Sequence, residues 1–141
     1  MKKYALIKIF LTLTVFSVIV VLFDPFFNDK ITQEGSSKYV TRYIWGMKTS
    51  KIEVGKDGLY NGKQTSWHYF SDKKKQEGFW KNGYWDGEWI SYDKNGLRTS
   101  IYIYEKGVAK RHYRITDGDK IEIPKDDWKN IFNQEKLGRI E

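Results

Sequence analysis

Six Asn-Gly or Asp-Gly dipeptides between residues 57 and 118 constrain the fold of this 141-residue chain more than any other feature. Either dipeptide adopts the positive φ angles of tight hairpin turns, so each one predicts a chain reversal. The runs between them alternate with the two-residue period of a strand, as in 99–104. The dipeptides are Asp57-Gly58, Asn61-Gly62, Asn82-Gly83, Asp86-Gly87, Asn95-Gly96 and Asp117-Gly118. They predict an antiparallel meander with strands near 39–45, 50–54, 67–71, 76–81, 88–93, 97–105, 108–115 and 120–123.

The same region contains an internal repeat. Segments 59–70, 80–92 and 104–113 each have an aromatic or apolar residue, two further residues, a glycine, and an aromatic residue five or six positions later. Aligning the three glycines, Gly62, Gly83 and Gly107, gives spacings of 21 and 24 residues, in the range of short structural repeats. In this alignment the equivalent positions are Trp67, Trp89 and Tyr113, and also Phe70 and Tyr92.

The run Gly87–Gly96 reads GEWISYDKNG and resembles the GxWxxYxxNG pattern of the MORN repeat, in the variant common in bacterial proteins such as YwqK-type antitoxins and immunity-like proteins. The resemblance covers about residues 57–118. It implies a mainly β protein in which hairpin units join into one single-layer antiparallel sheet. It also implies structural rather than catalytic roles for the repeat positions, which are Gly62, Trp67, Gly83, Gly87, Trp89, Tyr92, Gly96, Gly107 and Tyr113.

A single-layer sheet needs large flat side chains to cover its own backbone, and the chain holds 6 Trp and 10 Tyr. We expect Tyr39–Trp45 to cap the start of the β-repeat domain, which spans 39–123. A short amphipathic capping helix is predicted over 124–138, because Trp128, Ile131 and Phe132 form one apolar stripe. This helix either packs on the last strands or docks a partner.

The N-terminal residues predict a membrane anchor. Three lysines come first, and uncharged residues then run from Ile9 to Phe23. Because Lys8 can extend its ammonium group to the bilayer surface, residues 5–23 approach the ~20 residues that a bilayer requires. A cleaved signal peptide starts similarly and is the alternative, but no small-x-small cleavage pattern follows Phe23. The sequence predicts an anchor or signal peptide over 1–23 and a linker over 24–38.

The distribution of charge predicts the orientation of this single-pass segment. Lysines precede the span, whereas Asp24 and Asp29 follow it with only Lys30 nearby. The positive-inside rule then leaves the N-terminus in the cytoplasm and the remainder in the periplasm or outside the cell. The absence of cysteine suits that compartment. Residues 31–141 hold 21 Lys and Arg against 16 Asp and Glu, a net charge of +5. This surplus favours acidic partners or anionic membrane surfaces, or simply keeps a small domain soluble, and nucleic acid is not expected there.

Signals of enzymatic chemistry are scarce, so no catalytic residue, cofactor or metal site is predicted. The only histidines, His68 and His112, lie in separate repeats. No nucleophile elbow, phosphate-binding loop or metal-ligand spacing is present. The acidic pairs Asp117/Asp119 and Asp126-Asp127 fall where turns and helix starts commonly carry aspartate.

Two groups of residues are candidates for contacting a partner. Lys73, Lys74 and Lys75 form a tight basic cluster in a predicted loop, where they are either a solvated hairpin tip or an attachment point for anionic groups. Tyr84 and Trp85 lie in the predicted reversal between Gly83 and Gly87. Exposed Tyr and Trp supply rigid contact area and are enriched at interface hot spots.

Three functions are consistent with these features. The MORN resemblance implies a protein-binding module, such as an antitoxin or immunity protein that neutralises a toxin by direct contact. The second possibility is a structural or scaffold protein of the cell envelope. The third is a binder of lipid or glycan surfaces through aromatic residues and lysines. The sequence leaves the partner's identity and the oligomeric state open.

Overall fold

The computed structural model describes residues 27–128 and 138–139, whose backbone forms nine strands and one short 3₁₀ turn. The strands form one open antiparallel sheet in which spatial order equals chain order. They are β1 (Phe27–Glu34), β2 (Ser37–Ile44), β3 (Met47–Val54), β4 (Tyr60–Trp67), β5 (Lys74–Lys81), β6 (Tyr84–Tyr92), β7 (Arg98–Glu105), β8 (Val108–Thr116) and β9 (Asp119–Glu122), and the 3₁₀ turn is Lys125–Asp127. The mainly β, single-sheet prediction is therefore confirmed.

Two predicted helices fall largely outside this described part of the chain. The anchor over 1–23 lies wholly outside it, and so does most of the capping helix over 124–138. Within residues 27–128 and 138–139, no helix has the length and apolar character needed to cross a bilayer. The one described helical element in the predicted cap is the 3₁₀ turn at Lys125–Asp127.

The sheet begins earlier than the sequence predicts. Residues 27–34 form β1, where a linker over 24–38 is expected, and β2 begins at Ser37. β1 pairs along its whole length with β2, from Phe27 opposite Ile44 to Glu34 opposite Ser37. It is an edge strand with almost every residue exposed, so its sequence, FNDKITQE, shows no apolar alternation. Pairing with β2 orders it instead.

Four of the six turn dipeptides lie in turns, but Asn61-Gly62 and Asp86-Gly87 lie inside β4 and β6. Both glycines keep a positive φ, 120° at Gly62 and 70° at Gly87. Each marks a β-bulge, where the register against the preceding strand shifts. The prediction of a reversal at these two places is therefore wrong. The predicted strand 67–71 is also wrong, because β4 ends at Trp67 and residues 68–73 form a loop.

Backbone hydrogen bonds between hairpins define the true repeat. The Gly83 amide, in the β5–β6 turn, donates to the Tyr60 carbonyl at 2.9 Å. One repeat later, the Gly107 amide in the β7–β8 turn donates to the Trp85 carbonyl at 2.8 Å. Tyr60 and Trp85 are therefore equivalent, and each stands two residues before a bulge glycine. The sequence alignment of Gly62 with Gly83 is thus four residues out of register.

With this correction the spacing between successive repeats is more regular than the spacing in the alignment made from the sequence alone. The turn glycines Gly58, Gly83 and Gly107 are 25 and 24 residues apart. Gly62 becomes equivalent to Gly87, and Trp67 becomes equivalent to Tyr92 rather than to Trp89. Four hairpins, β1–β2, β3–β4, β5–β6 and β7–β8, follow one another, and β9 ends the sheet.

The two faces of the sheet differ in chemistry. We call one the core face; its middle row runs in register through Val40, Ile52, Gln64 and Gly78. The other, which we call the charged face, has a register row of Thr41, Lys51, Thr65, Glu77, Ile90, Ile101 and Tyr113. Since side chains alternate along each strand, these two rows point to opposite sides.

The core face is packed by a row of aromatic rings. Five rings form the row, Tyr60, Trp80, Trp85, Trp89 and Tyr104, and they contact one another edge-on or tilted at centroid distances of 5.1–6.3 Å. Such ring pairs contribute about 0.5–1.5 kcal/mol each beyond the area they bury. Val40, Ile52 and Val54 extend the cluster toward β2 and β3.

Trp89 occupies the centre of this row and is 1 % exposed. Its indole ring lies over Gly78 on the adjacent strand, so that a Cβ at Gly78 would come within 2.2 Å of the ring. Its indole N–H donates to the Phe79 carbonyl at 3.1 Å. The bulge at Gly87 gives β6 its extra length opposite Gly78. Gly78 therefore provides the space that the largest buried side chain fills.

Residues from the C-terminal part of the chain contact both ends of the aromatic row on the core face. Trp128 packs against the core cluster, and its indole N–H donates to the Ile123 carbonyl at 2.8 Å. At the other end, the Gly138 carbonyl accepts from the Tyr60 amide at 2.8 Å, and the Gly138 amide donates to Gly83 at 2.7 Å. Gly138 lies so close to the Trp80 ring that a Cβ there would meet it at 2.4 Å.

Replacing Gly78 with alanine should destabilise the protein by about 1–3 kcal/mol, because the added methyl group overlaps the Trp89 ring. Urea unfolding of the full chain, followed by tryptophan fluorescence, measures the change. Gly55→Ala is the matched control, since the atom nearest to its new methyl group is the movable end of the Asp57 side chain. Equal stability of Gly78→Ala and the wild type would contradict the packing of Trp89 on Gly78.

Candidate functional site: the charged face

The residues predicted to contact a partner do not come together. Lys73 lies in the loop before β5, and Lys74 and Lys75 are the first residues of β5. Tyr84 pairs with Lys81 at the far end of that strand. At about 3.3 Å per residue, the lysine cluster and Tyr84 are on the order of 20 Å apart. They do not form one site.

Trp85 is not an exposed contact residue. Its ring lies within the core-face row, 5.1 Å from Trp89 and 5.1 Å from Tyr104 between centroids. The prediction failed because the segment from Gly83 to Gly87 is read as one reversal, whereas the turn ends at Gly83 and β6 begins at Tyr84. Trp85 is then the second residue of a strand and faces the core.

The lysine cluster lies at the start of β5, not at the tip of a hairpin. All three lysines are exposed, and Lys74 Nζ donates to a Glu77 carboxylate oxygen at 2.9 Å. Lys73 remains in the loop, where its amide donates to the Ser71 hydroxyl at 3.0 Å. Only Lys74 is thus held by a described acidic neighbour.

The predicted repeat positions separate into three structural roles. Gly83, Gly96 and Gly107 lie in turns, Gly62 and Gly87 lie in bulges, and Trp89 lies on the core face. Trp67, Tyr92 and Tyr113 lie on the charged face, as their register partners Lys74, Arg98 and Ile101 show. The three aromatic residues of the charged face are therefore available for a role that the core-face tryptophans do not have.

Lysines lie over aromatic rings at three places on this face. Lys48 Nζ is 4.0 Å from the Trp67 ring centroid, Lys51 Nζ is 4.1 Å from Tyr39, and Lys120 Nζ is 4.0 Å from Tyr113. Each partner comes from a neighbouring strand. Sequence reasoning missed these pairs because they depend on strand register, which the misplaced turns obscured. Cation–π contacts hold the lysine stems flat while the ammonium groups stay near solvent.

Two grooves border the charged face. One, of about 660 Å³, lies at the β7–β9 end and is lined by Leu97, Arg98, Ile101, Ile115, Asp117, Gly118 and Lys120. The other, of about 370 Å³, lies at the β3–β4 end and is lined by Met47, Lys48, Trp67, Phe70, Ser71 and Asp72. Each groove combines an apolar floor with a cationic side chain. The β7–β9 groove, where Arg98 and Lys120 outnumber Asp117, suits an extended or loop-like ligand that carries negative charge. In the β3–β4 groove, Asp72 balances the charge of Lys48.

Glu77 is the acidic centre of the charged face. Its carboxylate accepts from the Tyr92 hydroxyl and from Lys74 Nζ, and Lys63 Nζ lies 3.4 Å away. Burial raises the pKa of Glu77, but the hydrogen bonds from Tyr92 and Lys74 and the nearby lysine charges outweigh it and lower the pKa to about 2. The ionised carboxylate thus links β4, β5 and β6 on this face.

Acidification should weaken the fold through Glu77. The carboxylate contributes stability above its ordinary pKa of 4.5, and this contribution is lost as the pH falls from 4.5 to about 2, where the folded protein also binds the proton. Glu77→Gln should cost about 1–3 kcal/mol at pH 7 and should flatten the decline in that pH range. Urea unfolding at a series of pH values tests both effects.

Glu105→Gln provides the matched control, because Glu105 forms an exposed ion pair with Lys110 at 3.5 Å. That variant should change stability little. If both glutamine variants had equal effects, the Tyr92–Glu77–Lys74 network would not contribute as described.

His112 lies on the core face. Its ring stacks on Tyr102 at 4.4 Å with an interplanar angle of 8°, and Trp128 meets it edge-on at 6.5 Å. Among the residues that the structure describes, neither buried ring nitrogen of His112 has a hydrogen-bond partner. Burial and the charge of Arg114 lower the pKa of His112. The ring therefore serves as a neutral packing group that joins β8 to Trp128.

Stability should also fall as the pH drops below 6.5, the ordinary pKa of histidine, because the unfolded chain then binds a proton that folded His112 resists. His112→Phe keeps the stacking and removes this proton. The variant should lose less stability than the wild type between pH 6.5 and pH 5, measured by thermal unfolding. Identical pH profiles would contradict the packing of a neutral imidazole.

The other residues with possible chemistry are dispersed. His68 lies in the loop after β4, where its Nε2 is 3.1 Å from the Tyr92 carbonyl, whereas His112 lies in β8. Asp117 occupies the β8–β9 turn with φ 52°, and Asp126 and Asp127 lie in the 3₁₀ turn. Within residues 27–128 and 138–139, no group of three or more His, Cys, Asp or Glu is placed to hold a metal ion.

Comparison with known proteins adds no assignment. No protein-family model matches the sequence, and neither the curated proteins nor the solved structures contain a significant match.

Proposed function

We propose that this chain is a membrane-tethered β-repeat module whose charged face binds an acidic surface of a protein partner. The observation that carries the proposal is the arrangement of Lys48, Lys51 and Lys120 over aromatic rings, beside two grooves on one face of an open sheet. Rings of Trp and Tyr provide rigid contact area, and Lys48 and Lys120 provide charge complementarity, whereas Lys51 is already paired with Glu34 at 2.6 Å.

The repeat geometry supports a relationship to MORN-type proteins. Hairpins recur at 25 and 24 residues, and the turns at Gly83 and Gly107 each donate a hydrogen bond to the preceding hairpin. A single sheet built in this way leaves one broad face for recognition once the other is packed. Fold-level likeness does not by itself determine the partner, so this relationship supports the class of function only.

The sequence pattern of residues 1–23 supports the membrane tether. Three residues separate Phe23, the end of the apolar run, from Phe27, the first residue of β1. A tether of this kind would hold the sheet beside the bilayer, on the non-cytoplasmic side. There the module would meet a partner in the periplasm or outside the cell.

Toxin neutralisation is the specific form of this function that we favour. In this mechanism the charged face covers an acidic surface that the toxin needs, so inhibition is steric and requires no catalysis. Co-expression of the chain with a toxin encoded by an adjacent gene should restore growth. An envelope scaffold, the alternative, would instead be co-purified with several envelope proteins, and no adjacent gene would encode a toxin.

A photo-crosslinking residue at Lys63 should capture the partner in membranes that contain the full chain, because the Lys63 side chain is 61 % exposed on the charged face. Lys38, an exposed residue in register with core-face Val54, is the matched control and should capture much less. The charge reversals Arg98→Glu and Lys120→Glu together should weaken capture about tenfold, at roughly 0.5–1 kcal/mol for each lost charge contact.

Lys38→Glu reverses one charge away from the charged face and is the matched control for Lys120→Glu alone. Capture that falls equally for these two single variants would indicate net charge rather than a site. Preferential crosslinking from position 38 would contradict recognition by the charged face.

A further inference from the structure

The sheet has two edges formed by the ends of its strands, and one of these two edges carries an unusual set of exposed aromatic residues. The β2–β3 turn, the β4–β5 loop and the beginning of β1 lie at this edge, since Phe27 pairs with Ile44, next to Trp45. Four residues, which we call the aromatic rim, are largely exposed: Phe27 (67 %), Trp45 (59 %), Tyr69 (57 %) and Phe70 (80 %). A group of exposed aromatic residues along one edge of a small domain indicates an interaction surface.

We propose that the aromatic rim lies in the headgroup region of the lipid bilayer, so that the sheet stands on the membrane by this edge. The inference rests on the proposed membrane tether and adds to it a second contact and a fixed orientation. Tryptophan and tyrosine favour the bilayer interface because their rings are apolar while one end remains polar.

The backbone holds two rim residues in conformations that other residue types adopt more easily. Trp45 has φ 53° and Phe70 has φ 58°, in the left-handed region. The equivalent first position of the β5–β6 turn has Asn82 at φ 52°. Asparagine tolerates this region, whereas a bulky side chain there is strained. The chain therefore carries aromatic residues at two positions where asparagine or glycine would be less strained.

The path of the chain leads from this edge toward the apolar segment. The four residue-to-residue steps from Phe27 back to Phe23 can span no more than about 14 Å. A tether that ends at Phe23 would hold the start of β1, and with it Trp45, within reach of the headgroups. The opposite edge, which carries Asp57, Asn82 and Lys106 in its turns, would be about a strand length farther away.

Cationic side chains accompany the rim. Lys48 lines the same groove as Phe70, and Lys73 ends the loop that carries Tyr69 and Phe70. Lysines at this depth favour anionic headgroups, although Asp72 in the same groove offsets part of the charge. The bilayer contact should therefore be stronger on vesicles that contain anionic lipid.

Sheet twist limits the contact to the first half of the sheet. Adjacent strands rotate by about 20–25°, so the β2–β3 turn and the β4–β5 loop, two strands apart, differ by about 50° or less. The β6–β7 loop, with exposed Leu97, is rotated by about twice as much from the β2–β3 turn. Leu97 is consequently left out of the proposed contact.

Site-directed spin labelling of the full chain tests the proposal, because the absence of cysteine allows single labels at chosen positions. Tyr69→Cys reports on the rim, and Asn82→Cys reports on the opposite edge. The labelled chains are reconstituted in vesicles of phosphatidylcholine and phosphatidylglycerol. The label at position 69 should be accessible to lipid-soluble oxygen and shielded from a water-soluble nickel complex, whereas the label at position 82 should show the reverse.

Equal nickel access at both positions, in a chain that stays with the vesicles after an alkaline wash, would overturn rim docking and leave the tether intact. A chain that the wash removes would refute the tether, and the rim proposal with it. Shielding of position 69 in native membranes but not in protein-free vesicles would indicate a protein on the rim and overturn the lipid assignment.

The variant Trp45→Asn with Phe70→Asn separates lipid contact from folding. It should lower the oxygen access of the label at position 69 several-fold while the urea midpoint stays equal or rises, since asparagine relieves the backbone strain. Lys106→Asn, at a positive-φ position of a turn on the opposite edge, is the matched control and should leave oxygen access unchanged. Unchanged oxygen access in the double variant, or a lowered midpoint, would contradict the proposal.

Discussion

The contact of the Trp89 indole ring with Gly78 is the interaction on which the rest of this sheet depends. A single layer of strands has no second sheet to exclude water, so it must build a core from its own side chains on one face. Trp89 does so by lying flat over a neighbouring strand, which requires a glycine beneath it. The bulge at Gly87 gives β6 the additional length opposite Gly78. The rings of Trp80, Trp85 and Tyr104 then pack around this centre.

Packing one face in this way leaves the other face and one edge for interactions outside the fold. On the charged face, Glu77 joins three strands through Tyr92 and two lysines, so its charges are organised by the same hairpin register that builds the core. Lysines lie over rings on the same side. The two proposed contacts share Lys48 and the β3–β4 groove, whereas the β7–β9 groove belongs to the partner site alone.

The sequence predicts the class of fold well because alternation and Asx-Gly turns are local signals. Asn82-Gly83 and Asp117-Gly118 form turns as expected, but Asn61-Gly62 and Asp86-Gly87 form bulges with the same local chemistry. What distinguishes them is a distant partner, the hydrogen bond from the next hairpin turn to Tyr60 or Trp85. The same four-residue misalignment placed Trp85 at the surface. The cation–π pairs and the aromatic rim depend on register and could not be read from spacing alone.

The most direct test of this structure is the magnetic environment of Gly78 in the folded protein. A tryptophan ring lying over a glycine shifts the glycine Hα resonances strongly upfield. The NMR spectrum should therefore show upfield Gly78 Hα signals with nuclear Overhauser contacts to the Trp89 indole protons. Gly78 Hα signals at ordinary positions, with Trp89 contacts to charged-face residues such as Glu77, would contradict the assignment of faces and the register on which it depends.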